Sequence, residues 1–416
     1  MILDAAMTRW EPARFDTRLV VNAAASPPGA AYGPTLAAIL SPAGFAAAER
    51  EITHWPGYRQ TELVALPGLA RAAGLGEIWY KDESTRFGLG SFKALGGAYA
   101  VFCHLAGVIE RRTGRRPSSA EIMAGKHRDI ARGVTVCTAT DGNHGRSVAW
   151  GAQMFGCPCV IYIHATVSEG RKAAIEKFGA EVRRVAGNYD DSVRQAAADA
   201  EANRWQVISD TSYEGYKEVP KWVMQGYGVM VRELLDQLPA ASLPTHLFVQ
   251  AGVGGLPAAI VAYLWQRLGA KRPFTVVVEP HVADCLYQTA LAGRPTKASG
   301  DLETLMAGLA AGEVSLLAWD ILNAGSNAFL TVPDTAAVAA MKALAEGVGG
   351  DRRVVGGEAG VGGLAGLLAA AADPDRRKAL GLDKRTRALI FGSEGDTDPV
   401  LYQRLVGRSA AEVRAA

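Results

Sequence analysis

Residues 77–104 read EIWYKDESTRFGLGSFKALGGAYAVFCH, and the order of elements in this stretch decides the fold class. Glu77–Lys81 (EIWYK) is a short apolar run of the kind that forms a buried strand, and Phe92–His104 has the pattern of a helix. Between them, Asp82–Ser91 is a polar loop with Gly88 and Gly90 near its end. A strand that passes through a glycine loop into a helix is a building unit of an α/β sheet. This one sets Lys93 in the first turn of the helix, where its charge opposes the positive end of the helix dipole. A neutral amine, or an imine to an aldehyde, removes that conflict, which is the physical case for a functional lysine. The competing reading is a surface lysine on an amphipathic helix. Phe92 and the preceding glycines favour a buried site lined by backbone. The segment is not a Walker loop, because GxxxxGK[ST] is absent.

The same alternation continues along the chain. Strand-like runs lie at Gly133–Thr138, Cys159–His164, Glu181–Val185, Gln206–Ser209, His246–Gln250, Phe274–Glu279 and Ala388–Gly392. Helical stretches lie at Gly145–Phe155, Gly170–Phe178, Ser192–Asn203, Pro220–Gln237, Leu256–Leu268 and Ala336–Glu346. Short apolar runs between amphipathic stretches predict buried parallel strands with crossover helices. Gly366–Arg377 reads as a helix ended by Asp373-Pro374. Residues 1–50 are weakly patterned and read as a meandering arm, and the basic run Glu110–Arg116 as a solvated surface loop.

A length of 416 residues predicts about two domains. Hydrophobic residues at 49% and charged residues at 21% are ordinary for a globular protein. A net charge of +2 argues against nucleic acid or an anionic membrane as partner. The five cysteines include no CxxC pair, and Cys157-Pro158-Cys159 has no matching second pair, so they read as reduced thiols with no metal. The first residues carry charges throughout without a signal-like apolar core, and no apolar stretch approaches ~18 residues. The expected location is the cytoplasm.

Four further loops follow predicted strands. Thr138-Ala139-Thr140-Asp141-Gly142-Asn143-His144-Gly145-Arg146 offers an amide donor in Asn143 and an acid or base in Asp141, although an Asx turn would explain either residue alone. Gln250-Ala251-Gly252-Val253-Gly254-Gly255-Leu256 opens a helix with consecutive backbone N–H groups, which suits a single phosphate. Ser209–Tyr216 delivers Asp210 at a strand end, and Phe391–Pro399 delivers Ser393 and Thr397, either of which could meet a pyridine nitrogen as a neutral partner. A further string, Gly360–Ala365, matches GxGxxA, but no parallel strand clearly precedes it.

The order of lysine, GNHG, glycine-rich phosphate loop and serine-containing loop resembles the type II fold of pyridoxal-phosphate enzymes, which includes serine and threonine dehydratases and threonine synthases. The longer strings FGLGSFKALGGAYA, TATDGNHGR, SDTSYEGY and GSEGDTDP resemble the diaminopropionate ammonia-lyase family in particular, from about Tyr58 to Pro399. At Glu62 the chain departs from a proline frequent in type II enzymes. The resemblance implies two open, twisted, mostly parallel α/β sheet domains flanked by helices, with pyridoxal phosphate in the cleft between them. Residues 1–95 with 206–416 would form the larger, cofactor-binding domain, and 96–205 the smaller.

By that resemblance Lys93 holds the cofactor beside Phe92, Asn143 contacts its phenolic oxygen, and Gly252, Val253, Gly254, Gly255 and Leu256 cradle its phosphate. Ser393, with Thr397 as the alternative, meets the ring nitrogen. Ser91, Thr140, Asp141, His144 and Asp210 would line the substrate site. The implied reaction eliminates ammonia from D- or L-2,3-diaminopropionate to give pyruvate and two ammonia. Lys93 and Asp141 would take the Cα proton from opposite faces, and Asp210 would help the β-amine leave, since an amine leaves poorly unless protonated. A homodimer acting on a small amino acid is implied. The alternatives are a serine/threonine dehydratase of the same fold, a nucleotide-binding protein that uses the glycine loops, and a catalytically silent ligand-binding member.

Overall fold

Short runs of β-branched and aromatic residues form the strands of the chain, and the computed structural model describes residues 13–416 other than Asp141 and Ala240. In chain order the described strands are β1 (Arg18–Val21), β2 (Glu62–Ala65), β3 (Glu77–Asp82), β4 (Val136–Ala139), β5 (Cys159–Ile163), β6 (Glu181–Arg184), β7 (Gln206–Val207), β8 (His246–Gln250), β9 (Phe274–Pro280), β10 (Ala328–Val332) and β11 (Arg387–Gly392). They form a seven-stranded sheet in the order β1-β10-β9-β8-β11-β3-β2 and a four-stranded sheet in the order β6-β5-β4-β7. Every pair inside both sheets is parallel, and only the edge strands β1 and β2 run antiparallel to their neighbours. This is the α/β architecture expected, with two mostly parallel sheets.

Strand alternation divides the core. Leu247, Val249, Leu389 and Phe391 face one side of the larger sheet, and Phe248, Ala388 and Ile390 face the other. The first side packs under the helices Glu218–Gln237 and Gly255–Leu268, and the second under Asp334–Glu346 and Gly362–Ala372. Both faces are covered, so the inner strands have no solvated side and read as continuous apolar runs.

The helix Lys93–Thr113 leads out of the β3 loop and packs between the helices Asn143–Phe155 and Glu218–Gln237. Gly96 and Gly97 make this possible. A Cβ at Gly96 would lie 2.5 Å from the Tyr227 ring, and one at Gly97 would lie 2.4 Å from Ser147 Oγ. The two adjacent glycines therefore admit a helix on each side of the segment that carries Lys93.

A buried ionic cluster pins the other end of this segment. Lys81 Nζ lies 2.9 Å and Arg86 Nη2 2.7 Å from Glu233 Oε2, and Arg86 Nε lies 2.8 Å from Glu83 Oε2. Tyr58 donates to Glu233 Oε1 at 2.9 Å. Burial would raise the Glu233 carboxyl, but Arg86 and Lys81 outweigh it and hold the group below the ordinary carboxylate range. The cluster joins β3 to the helix Glu218–Gln237. Glu62, the departure from proline, opens β2 and pairs with Arg352.

Several expectations need correction. The basic run was expected to be a loop, yet Glu110–Thr113 is the last turn of the helix Lys93–Thr113, where Arg111 and Arg112 complement the dipole. The supposed arm contains β1 and the helix Pro42–Ile52. β1, β2 and β10 were not foreseen. The string Gly360–Ala365 opens the helix Gly362–Ala372. Its glycines serve close packing: a Cβ at Gly363 would lie 2.5 Å from the Phe248 carbonyl oxygen.

Candidate active site

The loops singled out in the sequence follow β3, β4, β7, β8 and β11, and each leaves the carboxyl end of a strand that runs parallel to a neighbour. Ligands of open α/β sheets bind at such ends. The β3 and β11 loops are stitched together by main chain. Phe92 N donates to Ser393 O at 3.0 Å, Gly395 N donates to Gly90 O at 3.0 Å, and Ser91 bridges Glu394.

Lys93 is the first residue of its helix, as expected, and its Nζ donates to Asp210 Oδ2 in the loop after β7. The two side chains are each 20% exposed, so the pair stands at the edge of open space and is not sealed in the core. The Phe92 ring lies 5.4 Å from Nζ and packs, tilted by 55°, 4.6 Å from the Tyr227 ring. Ser147 Oγ donates to the Lys93 carbonyl at 2.6 Å and fixes the helix start. Burial pushes the Asp210 carboxyl up, but the Lys93 ammonium and then His144 overcome it and hold Asp210 well below the usual range.

His144 places a nitrogen, Nδ1, 3.8 Å from Asp210 Oδ2, while its Nε2 lies 2.8 Å from the Ile208 carbonyl oxygen. A carbonyl accepts, so Nε2 carries the proton and the ring orientation is set by backbone. Nδ1 thus faces Asp210 Oδ2 from beyond hydrogen-bond distance. Thr140 clasps the same turn, its Oγ1 accepting from Gly142 N at 3.0 Å and Gly145 N at 3.1 Å. Asp141 lies outside the described residues.

The β8 loop joins this group through Asp210. A Cβ on Gly255 would lie 3.8 Å from the Asp210 carbonyl oxygen, so the glycine loop and the lysine meet the same residue. Gly254 has φ +102°, which a side chain would strain. Among the described residues, no acceptor is found for the N–H groups of Gly252, Val253, Gly254, Gly255 and Leu256 at the start of the helix Gly255–Leu268. Unfilled donors at a helix N-terminus make an anion cradle.

Ser393 and Thr397 part company here. Ser393 Oγ accepts from Gln250 Nε2 at 2.7 Å, and the same amide nitrogen donates to the Gly360 and Phe391 carbonyls. Gln250 thus uses the acceptor side of the serine and leaves its O–H to donate elsewhere. Thr397 Oγ1 turns to Glu394 Oε2 at 3.4 Å. Asn143 also donates to Glu394 Oε2, and Arg146 Nη2 donates to Asn143 Oδ1 at 2.8 Å. Gln250 and Glu394 stood inside the sequence strings without an assigned role, whereas Tyr227 had no local signal and came from tertiary contacts.

With this geometry in view, residues 54–383 match the family model for pyridoxal-phosphate dependent enzymes. The chain belongs to this family. Within it, the chain is 39% identical over 356 residues to the diaminopropionate ammonia-lyase of Escherichia coli (strain K12), covering 84% of this chain and 88% of that one. The crystal structure of the Escherichia coli enzyme in complex with D-serine superposes with a TM-score of 0.86 at 35% identity, covering 95% of this chain and 99% of that one. Another crystal structure of that enzyme, in complex with an aminoacrylate-PLP azomethine reaction intermediate, gives a TM-score of 0.81 at 35% identity over 94% of this chain and 97% of that one. The fold is thus that of the type II family members. The donor set suits the cofactor: one amine, an acceptor-free nest for a phosphate, and a serine hydroxyl polarised for a ring nitrogen. No helix among the described residues is long and apolar enough to cross a membrane.

Proposed function

We propose that this chain is a pyridoxal-phosphate dependent ammonia-lyase that converts 2,3-diaminopropionate, as the D-isomer, the L-isomer or both, with one water, to pyruvate and two ammonia. The observation that carries the reading is the Lys93–Asp210 pair lying against the Gly255 loop in a chain of this family. The relatives' name supplies the substrate.

Lys93 would hold the cofactor, Asn143 its phenolic oxygen, the N–H groups of residues 252–256 its phosphate, and Ser393 its ring nitrogen. The Ser393 orientation imposed by Gln250 supports it over Thr397. When bound, the cofactor supplies an electron sink for the carbanion at Cα. A free Lys93 amine takes the Cα proton of the L-isomer, and Asp141 is assigned that of the D-isomer on resemblance. Asp210 has two states. Beside the Lys93 ammonium it is ionised, and when Lys93 is uncharged the largest of the interactions that hold it low is lost, so burial draws it toward the acid against His144. In that state Asp210 can give a proton to the departing β-amine. The released enamine then hydrolyses to pyruvate and the second ammonia.

Residues 1–95 with 206–416 and residues 96–205 are proposed as the two domains that flank the cofactor, with Gln206–Val207 shared at the junction because they pair with β4. Five buried cysteines without disulfides support a reducing compartment, for which the cytoplasm is proposed. A homodimer is proposed on resemblance and is read by light scattering.

The test is ammonia and pyruvate release from each isomer of diaminopropionate, set against 2-oxoacid release from serine and threonine. The purified protein should show a yellow imine absorption band, and borohydride should remove that band and tag Lys93. Faster turnover of serine or threonine than of either diaminopropionate isomer would make it a dehydratase of the same fold.

A further inference from the structure

Two carboxyls close to this site have no part in the steps above. Glu394 follows Ser393, and Glu358 lies in the glycine string that precedes the helix Gly362–Ala372. Both are nearly sealed, Glu358 at 2% exposure and Glu394 at 5%. Glycines hold them together. A Cβ at Gly357 would lie 2.2 Å from the Gly395 carbonyl oxygen, and one at Gly360 would lie 2.5 Å from that of Glu394. Only a chain without side chains at these positions can lie so close, and the contact is tied by Gly357 N donating to Glu394 O at 3.0 Å.

The two carboxyls differ in how they are satisfied. Glu394 Oε2 accepts from Asn143 and Thr397, and its Oε1 accepts from Ala359 N at 3.2 Å. Glu358 Oε1 lies 3.7 Å from Arg171 Nη2, beyond hydrogen-bond reach, and its Oε2 is buried with no hydrogen-bond partner among the described residues. A buried carboxylate oxygen without a donor is costly, and such groups in native proteins call for a ligand, an ion or water. Burial and then the charge of Glu394 raise the Glu358 carboxyl, with Arg171 opposing and Asp398 adding to the rise. Arg171 and Asp398 also line a cavity of about 390 Å³, so the carboxyl pair lies one side chain away from open space.

An ammonium group would bring the donor that this oxygen lacks. We infer that Glu358, together with Glu394, receives the second ammonium group of the substrate and so selects a diamino acid over a hydroxyamino acid. The inference rests on the reaction proposed above. An ammonium offers three donors and a positive charge to two carboxyls, whereas the hydroxyl of serine offers one donor and no charge. The backbone ties from Glu394 to Ser91, and from Ser393 to Phe92, carry this pair to the segment that ends in Lys93. Glu394 also holds the Asn143 amide, so an ammonium bound there is registered against the cofactor's expected ring position.

The test compares the holoenzyme with Glu358→Gln, Glu358→Asp and Glu394→Gln, using diaminopropionate and serine on the same preparation, with serine scored as a competitive inhibitor if it is not turned over. The expected result is that Glu358→Gln lowers kcat/KM for diaminopropionate roughly 10- to 100-fold more than it alters the constant for serine, mainly through KM. Glu358→Asp should recover part of the loss. Glu394→Gln should shift the same ratio in the same direction, which covers a Glu358 variant that folds poorly. Partial misfolding lowers both substrates alike and leaves the ratio unmoved. Equal losses on both substrates in the Glu358 and Glu394 variants, with diaminopropionate still turned over by the unaltered enzyme, would overturn this inference alone. No ammonia from diaminopropionate with the unaltered enzyme would overturn the reaction itself.

Discussion

Two lysine–carboxylate arrangements stand on either side of the same glycine loop, and they behave as opposites. Lys81, Glu83, Arg86 and Glu233 form a closed cluster whose side chains are all 0% exposed. Two cations meet two anions there, and Tyr58 supplies a further donor to Glu233. Lys93 and Asp210 form an open pair, 20% exposed, with His144 Nδ1 3.8 Å from the same carboxylate oxygen. Charge in the closed cluster has nowhere to go, because none of its side chains meets solvent. Charge in the open pair can be exchanged, because Lys93 can give up its proton to a ligand and Asp210 can take one in response. The lesson is that ion pairing alone does not mark a site: enclosure marks scaffolding, and access marks chemistry.

The sharpest way to break this contrast is to remove the two lysine-side partners separately. Lys93→Ala should lower ammonia release by roughly 10,000-fold while the folded fraction, followed by circular dichroism, stays near that of the unaltered enzyme. Residual turnover near the original rate would move the lysine from chemistry to scaffolding. Asp210→Asn should reduce kcat by about 100-fold, from loss of the proton carrier, with a smaller change in thermal midpoint.

The closed cluster should respond the other way round. Glu233→Gln leaves Lys81 and Arg86 buried without their shared anion and should cost about 3–5 kcal/mol of stability in denaturant titration. Activity per folded molecule should stay within a few-fold. The pH dependence follows from the lowered Glu233 carboxyl. A group depressed on folding stabilises the fold above its ordinary value of about 4.5, and that contribution is lost as pH falls below it. The denaturation midpoint should therefore drop on acidification below about 4.5, and the drop should shrink in Glu233→Gln. The smallest expected effect is at Ser393→Ala, where loss of one neutral hydrogen bond should cost about 3- to 10-fold in kcat. A Thr397→Ala loss larger than that of Ser393→Ala would reverse the assignment between the two.

The strand–loop–helix order around Lys93 was legible because its signals are local: an apolar run, glycines, then helix spacing. The same holds for the loops after β4, β8 and β11, each quoted from the sequence at the place where it stands. The edge strands β1 and β2 escaped because they run antiparallel at the sheet edges and stand outside the strand–loop–helix alternation that marks the others. In the basic stretch 110–116 the first four residues were misread as loop, since charge suggested solvent while a helix C-terminus welcomes arginine equally well; the rest is exposed loop, as expected. Glu358 gave no warning at all, as a single acidic residue among glycines.

Chain chemistry by itself determined the α/β class, the lysine at a helix start, and the glycine run able to cradle an anion, because each depends on neighbours within a few residues. Only the tertiary structure decided that Lys93 meets Asp210, 117 residues away, and that Ser393 has its acceptor side filled by Gln250. It likewise decided that Glu358 is sealed beside Glu394 with an oxygen left over. These facts depend on distance and burial, and the charge state of a carboxyl follows from which cation the fold brings near and how much water it removes.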